Sequence, residues 1–146
     1  MNVGDNKKAL VLFSGGLDST TVLAIAKSKG YKITALTINY KQRHNYEILA
    51  SKNIIASHSD INHIIFDIDL TRIGGSALTD SSLDVPKEES SGIPITYVPA
   101  RNTIFLSIAA SYAEKLKIRE IYIGVNAIDY SGYPDCRPEF IASFQE

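Results

Sequence analysis

One cysteine, Cys136, is present in 146 residues. A lone thiol excludes an intrachain disulfide framework and any metal site built from this chain's cysteines alone. An excess of charge of one sign is missing too: 15 Lys and Arg stand against 16 Asp and Glu, a net charge of −1. No basic character advertises direct contact with a nucleic-acid backbone. Long apolar runs are absent near the start, where the mostly polar stretch Met1 to Lys8 leads into a run of only Ala9 to Phe13. That run is too short for a signal-peptide core or a membrane span, so the expected setting is cytoplasmic, with no membrane partner. Internal repeats and low-complexity tracts are also lacking. What remains is 45% hydrophobic and 21% charged, the composition of a soluble globular domain. Its length fits one domain that buries roughly two-thirds of its unfolded surface.

Two periodicities alternate along the chain. Lys8 to Phe13 is a buried-strand pattern. Ser19 to Lys29 predicts a helix, with Val22, Leu23, Ile25 and Ala26 inward and Gly30 as its stop. Tyr31 to Ile38 is β-branched and apolar, hence strand, and Asn39 to Arg43 is a polar loop. His44 to Ser57 places Tyr46, Ile48, Leu49, Ile54 and Ile55 at helical spacing. His63 to Ile68 is a third strand. Asn102 to Lys117 is the clearest helix, with Ile104, Phe105, Ile108, Ala109, Tyr112 and Leu116 on its buried face. Glu120 to Val125 is a fourth strand, and Pro138 to Glu146 opens another helix. This alternation predicts right-handed βαβ units and an α/β fold on a parallel sheet. Ligands in such folds sit beyond the carboxyl ends of the strands. Each predicted strand end does open into a polar or glycine-bearing segment: Ser14-Gly15-Gly16, Asn39-Tyr40-Lys41-Gln42, Asp67-Ile68-Asp69 and Gly124-Val125-Asn126.

The most informative of these ends is Leu10 to Thr21, where an apolar run meets Ser14-Gly15-Gly16-Leu17-Asp18-Ser19 and then a helix. Gly15 and Gly16 lack a Cβ, so they tolerate positive φ and let an anion approach backbone amides. Asp18, Ser19 and Thr20 are residue types that begin helices. Bare amides and a helix dipole facing one point make a phosphate cradle. No lysine follows the glycines as a Walker A loop requires, and the Gly-x-Gly-x-x-Gly spacing of dinucleotide folds is absent. One segment breaks the alternation: Gly74 to Ala100 has no clear period and carries Gly74, Gly75, Pro86, Gly92, Pro94 and Pro99. A loop of that length is either a functional lid or a disordered surface excursion.

The Ser14 to Ser19 segment resembles the pyrophosphate loop of N-type ATP pyrophosphatases. That resemblance implies a Rossmann-like adenine nucleotide alpha hydrolase fold and ATP as cofactor. Three further segments narrow it: Asn39 to His44, Thr96 to Thr103, and Gly124 to Phe140. With Gly74-Gly75-Ser76-Ala77-Leu78-Thr79-Asp80, they are similar to the 7-cyano-7-deazaguanine synthase family of queuosine precursor biosynthesis, over about Leu10 to the last residue. The family implies an ATP-dependent ligase acting on small molecules. A 7-carboxy-7-deazaguanine carboxylate is adenylated, ammonia displaces AMP to give an amide, and the amide oxygen is activated and expelled to leave the nitrile.

The resemblance also implies residue roles. ATP is expected along Phe13, Ser14, Gly15, Gly16, Leu17, Asp18, Ser19, Thr20, Thr21, Val22 and Leu23, with Ile38, Asn39 and Tyr40 where the superfamily contacts adenine. Asp18 has two open roles, as a hard oxygen ligand for Mg²⁺ or as a helix cap. Arg101 is expected to offset charge on ATP or the acyl-adenylate, against the alternative of a surface arginine beside a capping Asn102. Gln42, Arg43 and His44 are candidates for nucleotide contact. Asp129, Tyr130, Asp135 and Arg137 are candidates for holding the deazaguanine, against the alternative of a self-bonded rigid loop. His58 and His63 flank a turn and read as surface residues. Asp67 and Asp69 share a strand face, either as acid and base or as ordinary polar residues at a strand end.

One departure stands out. The family carries four cysteines for a structural Zn²⁺ in its C-terminal part, and Cys136 is alone here, so no zinc ligand is expected in this chain. The domain spanning 1–146 is therefore read as C-terminally incomplete. Alternatives to the ligase are another pyrophosphate-loop enzyme that adenylates a tRNA base, and an inactive nucleotide-binding fragment. A homodimer is a candidate assembly.

Overall fold

β-branched and leucine-rich runs without helical spacing become the strands of the sheet. The computed structural model describes residues 7–41, 46–85, 92, 96–125 and 132–146. Strands β1 (Lys8–Leu12), β2 (Lys32–Asn39), β3 (Asn62–Asp67) and β4 (Glu120–Tyr122) form one parallel sheet in the order β3-β2-β1-β4. Pleating sends alternate residues to opposite faces. Leu10 and Leu12 of β1 join one apolar cluster with Leu36 and Ile38 of β2. Val11, and Phe13 just past β1, join another with Ile33 and Ala35. Helices α1 (Leu17–Ser28) and α2 (Tyr46–Ala56) cover the second face through Leu23, Ala26 and Ile55. Helix α3 (Arg101–Leu116) covers the first through Leu106, Ala109 and Ala113. Full burial of a leucine such as Leu10 or Leu36 contributes roughly 1.5 to 3 kcal/mol. The predicted α/β parallel-sheet fold is therefore the one found.

Strand order fixes where a ligand can sit. The chain steps from β1 outward to β2 and β3, then returns to lay β4 on the free edge of β1. The switch point between β1 and β4 opens a crevice beyond their carboxyl ends. After β4, a short 3-10 turn (Pro134–Cys136) leads into α4 (Pro138–Gln145), whose Phe140 packs on the α3 cluster.

Several expectations are corrected by packing. Helix α1 starts at Leu17 rather than Ser19, and its inward stripe is Ser19, Leu23 and Ala26, leaving Ile25 45% exposed. Adjacent apolar residues cannot both face the sheet, and the i, i+4, i+7 row wins. On α2 the buried residues are Ser51 and Ile55, while Tyr46 and Leu49 stay exposed. Strand β4 ends at Tyr122, three residues short of the predicted end.

Part of the non-periodic segment packs into the protein, and part of it, Ser81 to Val85, lies mostly at the surface. Gly74 and Gly75 turn at φ +70° and +77°. Ser76 and Ala77 behind them are fully buried, and Ser76 Oγ donates to the Thr96 carbonyl at 3.1 Å. Residues 86–91 and 93–95 of that segment lie outside the described residues.

Candidate functional site

The backbone turns sharply where β1 stops. Gly15 takes φ +86°, and three groups close a ring behind it. The Ser14 N–H donates to Ser19 Oγ (3.1 Å), Ser19 Oγ donates to the Gly16 carbonyl (3.3 Å), and the Gly16 N–H donates to Ser14 Oγ (3.2 Å). These bonds shape the loop from its inside. Gly16 itself is the N-cap of α1, with extended backbone (φ −76°, ψ 173°) and no capping side chain. The first-turn amides of α1 are therefore left to a ligand or to solvent, beside the positive end of the helix dipole. Thr20 Oγ1 in the same turn is buried with no hydrogen-bond partner among the described residues.

This geometry separates roles that the sequence runs together. Of the two loop glycines, only Gly15 needs positive φ. A Cβ there would lie 2.6 Å from the Ser51 N and 3.0 Å from the Glu47 carbonyl oxygen, so Gly15 admits the backbone of α2. A Cβ on Gly16 would meet only Ser14 Oγ, at 3.3 Å. Asp18 is exposed in the first turn and is not the N-cap, which places its carboxylate beside the loop rather than under it. Thr21 Oγ1 donates to the Leu17 carbonyl, Val22 packs against the second cluster and Leu23 is buried within it.

A cavity of about 160 Å³ lies at the switch point. Its walls are Leu12 at the end of β1 with Phe13 and Ser14 after it, Leu36 to Ile38 of β2 with Tyr40 just past it, and Ile123 and Gly124 after β4. Glu47 and Ile48 of α2 and Arg101, Asn102 and Phe105 of α3 complete it. The expected residues Phe13, Ser14, Ile38, Tyr40 and Arg101 thus meet in one place. Asn39 does not join them, because its Nδ2 donates to Asp67 Oδ1 at 2.8 Å. Asp69 is bonded to Thr71 and faces Lys41 Nζ at 3.5 Å, and the Thr71 bond is the main cause holding its carboxyl below the ordinary value. Asp67 and Asp69 thus each accept hydrogen bonds at the strand end, from Asn39 and from Thr71. Gln42, Arg43, His44, Asp129 and Tyr130 lie outside the described residues.

Arg101 is the cavity's fixed cation. Its guanidinium Cζ lies 5.7 Å from the centre of the Tyr40 ring and 6.0 Å from that of Phe105, within cation–π range. Its Nη1 donates to the Tyr40 hydroxyl at 3.2 Å. Burial pushes the Tyr40 phenol upward, and Arg101 works against that shift. The residue before Arg101, Ala100, sits in the left-handed region at φ +52° and is the N-cap of α3 without a capping side chain of its own. The cap comes from elsewhere. Asp135 Oδ2 accepts the Asn102 N–H at 2.9 Å, and Asn102 Nδ2 donates to the Asp135 carbonyl at 2.9 Å. Both residues are 6% exposed. Arg137 is exposed at the N-cap of α4.

Three features of the site are not evident from sequence patterns. Gly124 faces the start of α1, where a Cβ would lie 3.1 to 3.2 Å from the Asp18 carbonyl group and the Ser19 N. Glu47 brings a carboxylate-bearing residue to the cavity wall. His63, read as a surface residue, is half-buried, with Nε2 2.7 Å from Thr37 Oγ1. Thr37 Oγ1 in turn donates to the Phe13 carbonyl at 2.6 Å, at the root of the loop. A hydroxyl has one proton, so His63 Nε2 carries the hydrogen in that chain. Burial, then the charge of Lys52, holds the His63 imidazole below its ordinary value. Only the Gly124-Val125-Asn126 strand end hinted at any of these.

Among the described residues no group of three or more His, Cys, Asp or Glu is arranged to hold a metal ion, and no helix is long and apolar enough to cross a membrane.

Comparison with known proteins gives a consistent picture. A family model described as queuosine biosynthesis protein QueC matches residues 8–146. The chain is 58% identical over 139 residues to a 7-cyano-7-deazaguanine synthase of Cellvibrio japonicus, covering 95% of this chain and 62% of that one. It is 55% identical over 141 residues to the protein of that name from Pseudomonas fluorescens, covering 97% and 63%. The chain thus spans a little over three-fifths of the length of these relatives. Among solved structures, the predicted subunit of a tRNA methyltransferase from Methanocaldococcus jannaschii matches with a TM-score of 0.57 at 20% identity, covering 95% of this chain and 62% of that chain. That likeness concerns the fold alone.

Proposed function

The chain belongs to the queuosine biosynthesis protein QueC family, and from that premise we propose that it forms the ATP-binding part of a ligase making 7-cyano-7-deazaguanine from 7-carboxy-7-deazaguanine and ammonia. One observation carries the reading: Ser14, in the loop that leads into the uncapped α1, and the cation Arg101 line the same switch-point cavity. In this proposal the phosphates rest on the Ser14 to Ser19 loop and the first-turn amides of α1, with Thr20 and Thr21 beside them. Ile38 and Tyr40 wall the base, and Arg101 offsets charge near the α phosphate.

The chemistry needs positioning more than proton transfer. The substrate carboxylate attacks the α phosphorus and pyrophosphate leaves, giving an acyl-adenylate. Ammonia adds to the acyl carbon, loses a proton and expels AMP to give the amide. The amide oxygen attacks a second ATP in the same way, pyrophosphate leaves, and loss of AMP and both amide protons leaves the C≡N bond. A carboxylate oxygen is a poor leaving group and AMP a good one, so a fixed cation and bare amides at the phosphates supply the main stabilisation. Mg²⁺ ordinarily reaches such sites through one or two carboxylates plus the phosphates themselves, and the exposed Asp18 fits the protein share of that shell. Arg137, with Asp129 and Tyr130, belongs to the proposed deazaguanine side. A cytoplasmic setting and a homodimer complete the proposal.

Calorimetry of this chain with ATP and Mg²⁺ tests the binding half. Mass spectrometry of the deazaguanine product tests the chemistry, with nitrile expected only when ATP and ammonia are both supplied. ATP binding without any adenylation of 7-carboxy-7-deazaguanine would reduce the chain to a nucleotide-binding module.

A further inference from the structure

Asp135 is read in the sequence as a contact for substrate, yet its carboxylate points into the protein. Oδ2 accepts the backbone N–H of Asn102, 33 residues earlier, and the Asn102 side chain returns a bond to the Asp135 carbonyl. Asn102 Nδ2 also lies 3.5 Å from Cys136 Sγ, which closes the knot. Arg101 immediately precedes the clamped residue, and the left-handed Ala100 precedes Arg101. The first turn of α3 has no cap of its own, so its direction, and with it the exit of the Arg101 side chain, depends on the remote carboxylate.

We propose that Asp135 is a positioning residue, which caps α3 from a distant loop and thereby seats the Arg101 guanidinium against Tyr40 and Phe105. Two features support this. A buried carboxylate at a helix N-terminus is favoured by both the orphan amides and the dipole. An off-axis first turn would also carry Arg101 away from Tyr40, whose hydroxyl accepts its hydrogen bond. The inference depends on the proposed nucleotide site only where ATP is used as a probe.

The test therefore begins without nucleotide. The whole chain is labelled at tyrosine Cζ, and the Tyr40 resonance is assigned with Tyr40→Phe. In Asp135→Ala the signal is expected to move to its position in Arg101→Ala. Asp135→Asn, whose amide oxygen still accepts the Asn102 N–H, is expected to keep it in place. Ile33→Ala, in the opposite apolar cluster, is expected to lower the melting temperature without moving it. Where Asp135→Ala does not fold, Asp135→Glu carries the same expectation, because one added methylene overshoots the amide. A folded Asp135→Ala with Tyr40 unmoved would overturn the proposal, as would an equal shift in Ile33→Ala.

ATP calorimetry then adds a functional readout. Affinity should fall about ten-fold in Asp135→Ala, the size of one lost charge-assisted hydrogen bond, and stay near wild type in Asp135→Asn. Loss of deazaguanine affinity in Asp135→Asn with Tyr40 unmoved would assign the carboxylate to substrate instead. Absence of ATP binding by the wild-type chain would refute the nucleotide reading while leaving the tyrosine result to decide the positioning role.

Discussion

Helix α1 follows Ser14, which lines the cavity, while α3 lines it with its own first turn, and the two N-termini are finished in opposite ways. At α1 the N-cap is a glycine with no side chain to offer, and the amides of the first turn stay bare. At α3 the same kind of amide is taken by a buried carboxylate from another part of the chain. Both ends carry the positive pole of a helix dipole, so the dipole cannot decide which of them receives an anion. Occupancy distinguishes them: one pole is already met by Asp135, which leaves the other for the proposed phosphate. The capped pole presents a side chain instead, the Arg101 guanidinium.

The largest effect on this contrast is expected from Gly15. A valine there would be held at φ +86° and its Cβ would meet the α2 backbone at 2.6 Å. The left-handed conformation and the overpacking together cost about 3 to 4 kcal/mol, which should lower the melting temperature by about 10 °C. The sequence treats Gly15 and Gly16 alike, as positions that tolerate positive φ and let an anion approach. The structure separates them. Gly16→Val has room apart from Ser14 Oγ and an ordinary φ, so stability should change by no more than about 1 kcal/mol. Calorimetric affinity for ATP should nevertheless fall at least about ten-fold, because the branched side chain shades the bare amides. Equal loss of stability in the two variants would end the distinction between them.

A middle-sized effect belongs to Asp18→Asn. The residue is exposed and is not the N-cap, so only its dipole contribution is lost, about 0.3 to 1 kcal/mol. The Mg²⁺-dependent part of ATP binding should weaken several-fold, while affinity measured with a chelator should match wild type. A large fall in thermal stability instead would return Asp18 to a helix-forming role.

The smallest effect expected is a pH dependence of the open end's support. His63 holds Thr37, which holds the Phe13 carbonyl before the loop. Its folded-state pKa lies below the ordinary value, so the unfolded chain binds the proton more readily. The contribution of neutral His63 is present above the unfolded pKa of about 6.5 and is lost as pH falls through the folded pKa. Melting temperatures of wild type and His63→Gln should therefore converge on acidification. Parallel curves over that window would remove His63 from the support of the loop.

Local chemistry was legible in the sequence. Strand ends, the Ser14 to Ser19 turn and the arginine at the mouth of α3 were all found, because each is written in consecutive residues. The illegible parts are meetings between distant segments. Nothing near Gly15 announces that α2 crosses it, and nothing near Gly124 announces Asp18. His63 was misread because a turn-flanking position says little about a partner fixed by the β2–β3 register, where Ala35 lies opposite His63. Ile25 was misplaced because α1 is apolar on adjacent positions and only the sheet chooses between them.

The strand order also carries a consequence for how the chain acquires its shape. β1 pairs with β2 at Lys8 and Lys32, but its other edge waits for Glu120 opposite Ala9. Closing that second contact joins points about 110 residues apart, a loop-closure cost about 1 kcal/mol above the first. Non-local parallel pairing of this kind forms late. During synthesis the central strand therefore has an open, apolar flank until Glu120 has emerged, and such a flank invites pairing with the wrong chain. Pulsed hydrogen exchange during refolding should protect the β1–β2 amides before those of β4. The glycine loop is thus built early on a half-finished sheet, and the wall that makes it a cavity arrives last.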